Sequence, residues 1–132
     1  MDASEIARKA ADYIRINGHT KNELWNAEGN ACFQGAVCAV MLGKEKVLGY
    51  SNYSYWEELV PVISSDETRA IIETATGIIR ERDWGVEPMW QIGDTVFDPI
   101  SYNNADETTA EDVIYLLELA AKELDEQRSL PG

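Results

Sequence analysis

Histidine occurs once in this chain and cysteine twice, and that scarcity removes several classes of chemistry at the outset. Two cysteines, Cys32 and Cys38, cannot build a disulfide framework, so nothing implies an oxidising compartment. They stand six positions apart, on different faces of a helix, and no CxxC accompanies them, so no metal is expected. Asp106 and Glu107 lie near Asn103 and Asn104, but the alternating oxygen ligands and central glycine of a calcium loop are missing. Neither GxGxxG nor GxxxxGK[ST] is present to cradle a phosphate, and no GxSxG marks a nucleophile elbow. No cofactor is expected. Long apolar runs are absent as well. The longest, Ala36 to Leu42, falls far short of the ~20 residues that span a bilayer. The start, Met1-Asp2-Ala3-Ser4-Glu5, has no basic segment leading into an apolar run, so a cytoplasmic protein is expected.

Basic residues are scarce where acids are dense. Residues 1–60 hold eight acidic and six basic side chains, a net of −2, whereas residues 61–132 hold sixteen and five, a net of −11. Between 94 and 126, ten acids face the single base Lys122. Phosphate contacts need clustered Lys and Arg, so direct nucleic-acid binding is disfavoured, and an anionic membrane is disfavoured for the same reason. A basic protein partner remains open. So does a face that only keeps the chain in solution.

What is present is a core. The chain of 132 residues is 45% hydrophobic with four Trp and six Tyr, which suits one domain with a real interior. Ile6, Ala7, Ala10, Ala11 and Ile14 share a face and predict a helix over 4–17, stopped by Asn17-Gly18. The stretch 32–42 is apolar on every side apart from Gln34 and predicts a buried central helix, with Gly35, Ala36 and Ala39 admitting close neighbours. Ser64 and Glu67 have capping-box spacing before a helix to about Arg82, and Thr108 and Glu111 repeat it before a helix over 109–127. Lys44-Glu45-Lys46 reads as a charged turn, 26–30 as a loop or short hairpin, Asp83-Trp84-Gly85 as a helix break, and Val86 to Tyr102 as loop with at most a short strand near Thr95–Phe97. A short helix from Ser54 to Leu59 is expected to end at Pro61. The fold class expected is therefore mainly α: one compact domain, 1–132, of about four helices around 32–42, with residues 129–132 a frayed tail.

Several short patterns, in order, resemble a known family. Ala10-Ala11-Asp12-Tyr13-Ile14 precedes Gly18-His19-Thr20; Gly29-Asn30-Ala31-Cys32 runs into Gly35-Ala36; Tyr102-Asn103-Asn104 precedes Thr108-Thr109-Ala110-Glu111-Asp112-Val113. This order is similar to a domain-of-unknown-function family of small actinobacterial and actinophage proteins, whose members show Gly-Trp-Thr, Cys-x-x-Gly-Ala and Trp-Asn-Asp at these places. His19, Tyr102 and Asn104 depart from that pattern. The resemblance is thin across 44–100. It implies a phage or actinobacterial source, and hence a host-cell cytoplasm, but no activity.

Three sets of residues carry candidate chemistry. Cys32 in the first turn of a helix would have its thiolate favoured by the helix dipole, and His19, with Asn103 to orient the ring, would complete a cysteine hydrolase or transferase. A small buried hydrophobe is the plainer account of Cys32. Tyr102, Asn103 and Asn104 form a loop candidate for ligand contact, although Asn in such a loop more often bonds backbone. Helical spacing leaves Glu111, Asp112, Glu118, Asp125 and Glu126 off the apolar stripe as an acidic face able to steer a basic host protein. The aromatics of 50–56 offer a further small-ligand surface, or simply a lid over the core. A non-catalytic acidic interaction module, as in a phage accessory protein, is the preferred expectation.

Overall fold

The computed structural model describes residues 1–49, 56–88 and 92–129. Among these the chain is mainly helical and has no sheet, with isolated bridges in place of strands. Among the described residues seven helices form rather than about four: α1 (Ala3–Asn17), α2 (Phe33–Leu42), α3 (Lys44–Leu48), α4 (Trp56–Ile63), α5 (Asp66–Glu81), α6 (Pro99–Asn104) and α7 (Ala110–Ser129).

α1 buries Ile6, Ala7, Ala10, Ala11 and Ile14, the stripe that its spacing predicts. Its cap is Asp2, which accepts from the Glu5 amide, while Ser4 lies inside the helix with its hydroxyl donating to Asp2. Gly18 ends it at φ +99, and a side chain there would also press on Asn30. The most extensive helix pair is α1 with α7, and α5 closes on both. α2 packs against α1, α3, α4 and α6. One hydrophobic cluster runs through α1, α2, α5 and α7.

Several local expectations are corrected. Ser65, not Ser64, caps α5, accepting from the Thr68 amide at 3.2 Å. Ser64 is already committed to α4, where its hydroxyl donates to the Val60 carbonyl. α7 has its reciprocal capping pair one position later than expected: Asp112 N–H donates to Thr109 Oγ1, and Thr109 N–H to the Asp112 carboxylate. Pro61 lies inside α4 instead of ending it. In so short a helix the missing N–H removes few bonds, and Leu59, fully buried, anchors the segment. Lys44–Leu48 is helix rather than a charged turn, begun at Gly43 and held by the buried Val47. Pro99–Asn104 is helix rather than loop. Asp98 caps it through the Ser101 amide at 2.7 Å, and Pro99 takes the first helical position, where its missing N–H has no partner to lose. Around 26–30 the chain makes a tight turn closed by one antiparallel bridge, Trp25 to Ala31, and the strand expected near Thr95–Phe97 is a single bridge, Val86 to Val96. The 50–55 part of the aromatic run lies outside the described residues.

Candidate functional site

Asn103 joins three segments distant in sequence. Its side chain is fully buried at the end of α6. Its Oδ1 accepts from the Phe33 amide at 3.0 Å and lies 2.7 Å from His19 Nε2. Its Nδ2 donates to the Thr20 carbonyl and to Asn104 Oδ1. Asn104 Oδ1 in turn accepts from the Asn22 amide at 2.8 Å. One asparagine therefore ties the α1–α2 connection to the first residue of α2 and to α6. With Phe33 N–H already donating to Oδ1, His19 completes the arrangement by carrying its proton on Nε2.

The structure thus gathers His19 and Asn103 around the start of α2. Cys32 is the cap of that helix, its Sγ accepting from the Gly35 amide at 3.3 Å. Its side chain is buried, and burial pushes the thiol above its ordinary value although the Gly35 and Gln34 amides pull the other way. That is the opposite of an activated nucleophile. Alkylation of the native protein is expected to be slow at Cys32 and Cys38 alike and to become fast on adding denaturant. Rapid labelling of Cys32 in the folded chain, followed by mass spectrometry, would refute this.

Burial lowers the His19 pKa below its ordinary 6.5, and the bond to Asn103 only partly offsets it. The unfolded ring takes a proton near 6.5 while the folded ring stays neutral, so the unfolded state binds more protons there. His19 therefore contributes stability that is full above pH 6.5 and is lost as the pH falls toward the folded midpoint. Because this is the only histidine, its ring proton resonance reports the folded midpoint directly. A midpoint above 6.5 would contradict the burial seen here.

Tyr102 and Asn104 also line a groove of about 870 Å³. Its walls are the 84–88 segment, α6, residues 105–108 and the first turns of α7. The 84–88 wall is fixed by Trp84 N–H donating to the Ile79 carbonyl and by the paired backbone bonds of Val86 and Val96. Gly85 is required there, since a Cβ would collide with Thr95 and Phe97. Trp84 stacks on Tyr102 with ring centroids 5.9 Å apart, and Tyr115 leans on Trp84 at 6.2 Å. The Arg82 guanidinium lies over Trp84 and Tyr115 from outside the lining. Glu87, Asp106, Glu107 and Asp112 complete the rim, and no Lys or Arg is among the described lining residues. Burial and the neighbouring Asp112 charge both raise the Tyr102 phenol pKa, so the negative field reaches the aromatic floor.

The acids predicted as one face of α7 are used differently from one another. Glu111, Glu118 and Glu126 are exposed, while Asp112 and Asp125 are half-buried. Asp125 pairs with Arg8 and Glu118 with Arg15, both on α1. The Asp112 carboxylate accepts from the Thr109 amide at the start of α7, and the residue lines the groove. The chain's own bases therefore meet part of this face; among the described residues no ion pair engages Glu87, Asp106, Glu107 or Asp112 at the groove, although Lys21 Nζ donates to the Ala105 and Asp106 carbonyls at its edge. Trp84, Glu87 and Tyr115 line the groove without having been candidates from residue pattern. The signal available was the Asp98-Pro99-x-Ser101 helix start, which turns Tyr102 and Asn104 from loop residues into one wall of a cleft.

The model of a family of unknown function (DUF6197) matches residues 1–123. The chain belongs to this family. The match spans both the Asn103 junction and the groove, so both lie within the family's domain. No curated protein and no solved structure matches the chain. Among the described residues no helix is long and apolar enough to cross a membrane.

Proposed function

We propose that this member of the family is a non-catalytic interaction module that takes a basic segment of a partner protein into the groove between 84–88, α6 and α7. The observation that carries the proposal is an aromatic floor of Trp84, Tyr102 and Tyr115 ringed by four carboxylates. Aromatic faces attract cations through their quadrupoles, and carboxylates at the rim steer them and pair with them. The guanidinium of Arg82, already over two of these rings, illustrates the contact. The resemblance to actinobacterial and phage proteins makes a host protein the natural source of the segment. The cysteine hydrolase alternative has His19 and Asn103 in its favour and the buried, protonated Cys32 thiol against it.

Fluorescence anisotropy with a labelled peptide of alternating arginine and serine tests this. Binding is expected at low salt and should weaken about tenfold on raising salt to near-molar, where the Debye length shrinks to ~3 Å. Trp84→Ala and the double variant Asp106→Asn/Glu107→Gln should each reduce it, while Glu118→Gln/Glu126→Gln should not. Binding unaffected by the groove variants but lost with the α7 pair would transfer the function to the face of α7. No binding of the peptide at any salt would remove the proposal.

A further inference from the structure

Two rings of the aromatic floor already carry a cation in the free chain. The Arg82 guanidinium carbon lies 5.3 Å from the Trp84 ring centroid and 5.9 Å from that of Tyr115. Its Nη1 stands 3.5 Å from the Tyr115 hydroxyl. Trp84 and Tyr115 line the groove and Arg82 does not, so it reaches them from the end of α5. Arg82 is exposed, and among the described residues no ion pair engages it. Its backbone, in contrast, is fixed. The Arg82 amide donates to the Ile78 carbonyl at 3.0 Å, and the Trp84 amide to the Ile79 carbonyl at 2.8 Å. The side chain is therefore able to leave the rings with no movement of the main chain. Trp84 also has Tyr102 stacked on it, 14° from parallel, so that ring is engaged by both neighbours.

We infer that Arg82 is an internal stand-in for an arginine of the partner: it holds the cation seat on Trp84 and Tyr115 in the free chain, and an incoming guanidinium displaces it. The inference rests on the interaction reading above and adds to it which cation is recognised and what that cation replaces. Two guanidinium groups over the same pair of rings would repel each other at close range, so the newcomer takes the seat rather than sharing it. The exchange favours the newcomer, because the rim carboxylates are open to pairing with it while Arg82 pairs with none of them. A guanidinium also suits the seat better than an ammonium. It is planar and weakly hydrated, so it lies flat on a ring while its edge N–H groups reach a carboxylate. The lysine ammonium is a compact, strongly hydrated point charge. Among the described residues every cation over a ring is an arginine.

The test uses anisotropy with the labelled arginine–serine peptide and a lysine–serine peptide of equal charge. Removing any positive charge near an acidic groove tightens a basic ligand through the field alone, so Arg80→Gln sets the baseline. Arg80 stands two positions before Arg82 and lies over Phe97, a ring outside the described lining. Arg82→Gln should tighten the arginine peptide about threefold beyond that baseline, the size of a cation–ring contact at an exposed site. Arg82→Lys, which keeps the charge and loses the plane, should tighten it about twofold. The parent should bind the lysine peptide about threefold more weakly than the arginine peptide. Displacement is read directly from the Arg82 Nε–H resonance, shifted by ring currents in the free chain and identified by its loss in Arg82→Lys. It should move to the ordinary arginine position as the arginine peptide saturates the protein. Equal effects of Arg82→Gln and Arg80→Gln, or a ring-shifted signal that persists at saturation, would overturn the displacement and leave the groove reading standing. Weaker binding by Arg82→Gln would do the same, making Arg82 a support for Trp84. Equal affinity of the two peptides for the parent would overturn the selection of a guanidinium. No binding of either peptide to parent or variants would remove both readings.

Discussion

Gly35→Ala is expected to cost more than about 4 kcal/mol of folding free energy and to leave a chain that is largely unfolded at physiological temperature. The residue lies in the first turn of α2, where the backbone of residue 24 crosses the helix. A Cβ built on Gly35 would stand 2.0 Å from the Leu24 carbonyl oxygen and 2.8 Å from its carbon. Both are backbone atoms and cannot swing aside. The crossing segment is also anchored on each side of the contact. Cys32 N–H donates to the same Leu24 carbonyl, and Trp25 Nε1–H donates to the Gly35 carbonyl at 2.7 Å. Relief of the clash would break one of these bonds or shift α2 against α1. Gly77→Ala supplies the control. Gly77 is an exposed position within α5 where an added Cβ meets nothing within 4 Å. There alanine should stabilise by about 0.5–1 kcal/mol through helix propensity. Urea unfolding of both variants gives the comparison. A Gly35→Ala chain within ~1 kcal/mol of the parent would show that the 24–25 segment does not pack on α2 as described.

Asn103→Ala is expected to destabilise the fold by about 3 kcal/mol, and Asn103→Asp by less. Alanine leaves the Phe33 N–H, the Thr20 carbonyl and His19 Nε2 without the partner each now has, in a place where the side chain is only 1% exposed. Unsatisfied buried groups carry the full loss of their hydration, which makes the deletion cost more than the bonds themselves were worth. Aspartate keeps the acceptor for Phe33 and His19 but loses the donor to Thr20 and Asn104. The same variants should weaken peptide binding in proportion, because Asn103 braces the Asn104 side chain that holds Asn22. A fall below ~1 kcal/mol for alanine, or equal effects of alanine and aspartate, would mean that Asn103 is not the shared anchor of these segments.

Much of the helical frame was legible from residue pattern. The stripes of α1, α5 and α7 each repeat at helical spacing, and their buried residues match those stripes. Helix ends were less so. In Ser64-Ser65 and in Thr108-Thr109 two adjacent residues can each cap, and in both pairs it is the second that accepts from the helix. Pro61 was expected to end its helix because proline lacks an N–H, yet position within the helix decides whether that matters. At the first position of α6 Pro99 costs no bond, and α4 tolerates Pro61 because Leu59 is buried.

The sequence alone determined the helical class, the stripe that each long helix buries, and the concentration of negative charge in the second half. These follow from spacings of three, four and seven residues and from simple composition, both of which act locally. Tertiary structure alone decided that Asn103 meets His19 and Phe33, that Arg8 and Arg15 compensate two of the acids of α7, and that Trp84, Tyr102 and Tyr115 come together as one floor. His19 and Asn103 are 84 positions apart, and Arg8 and Asp125 are 117 apart. No local pattern specifies contacts at such separations. They form because burying the apolar stripes of α1, α2, α5 and α7 in one core leaves the connecting segments few places to run, and the polar groups they carry must then find partners where they land.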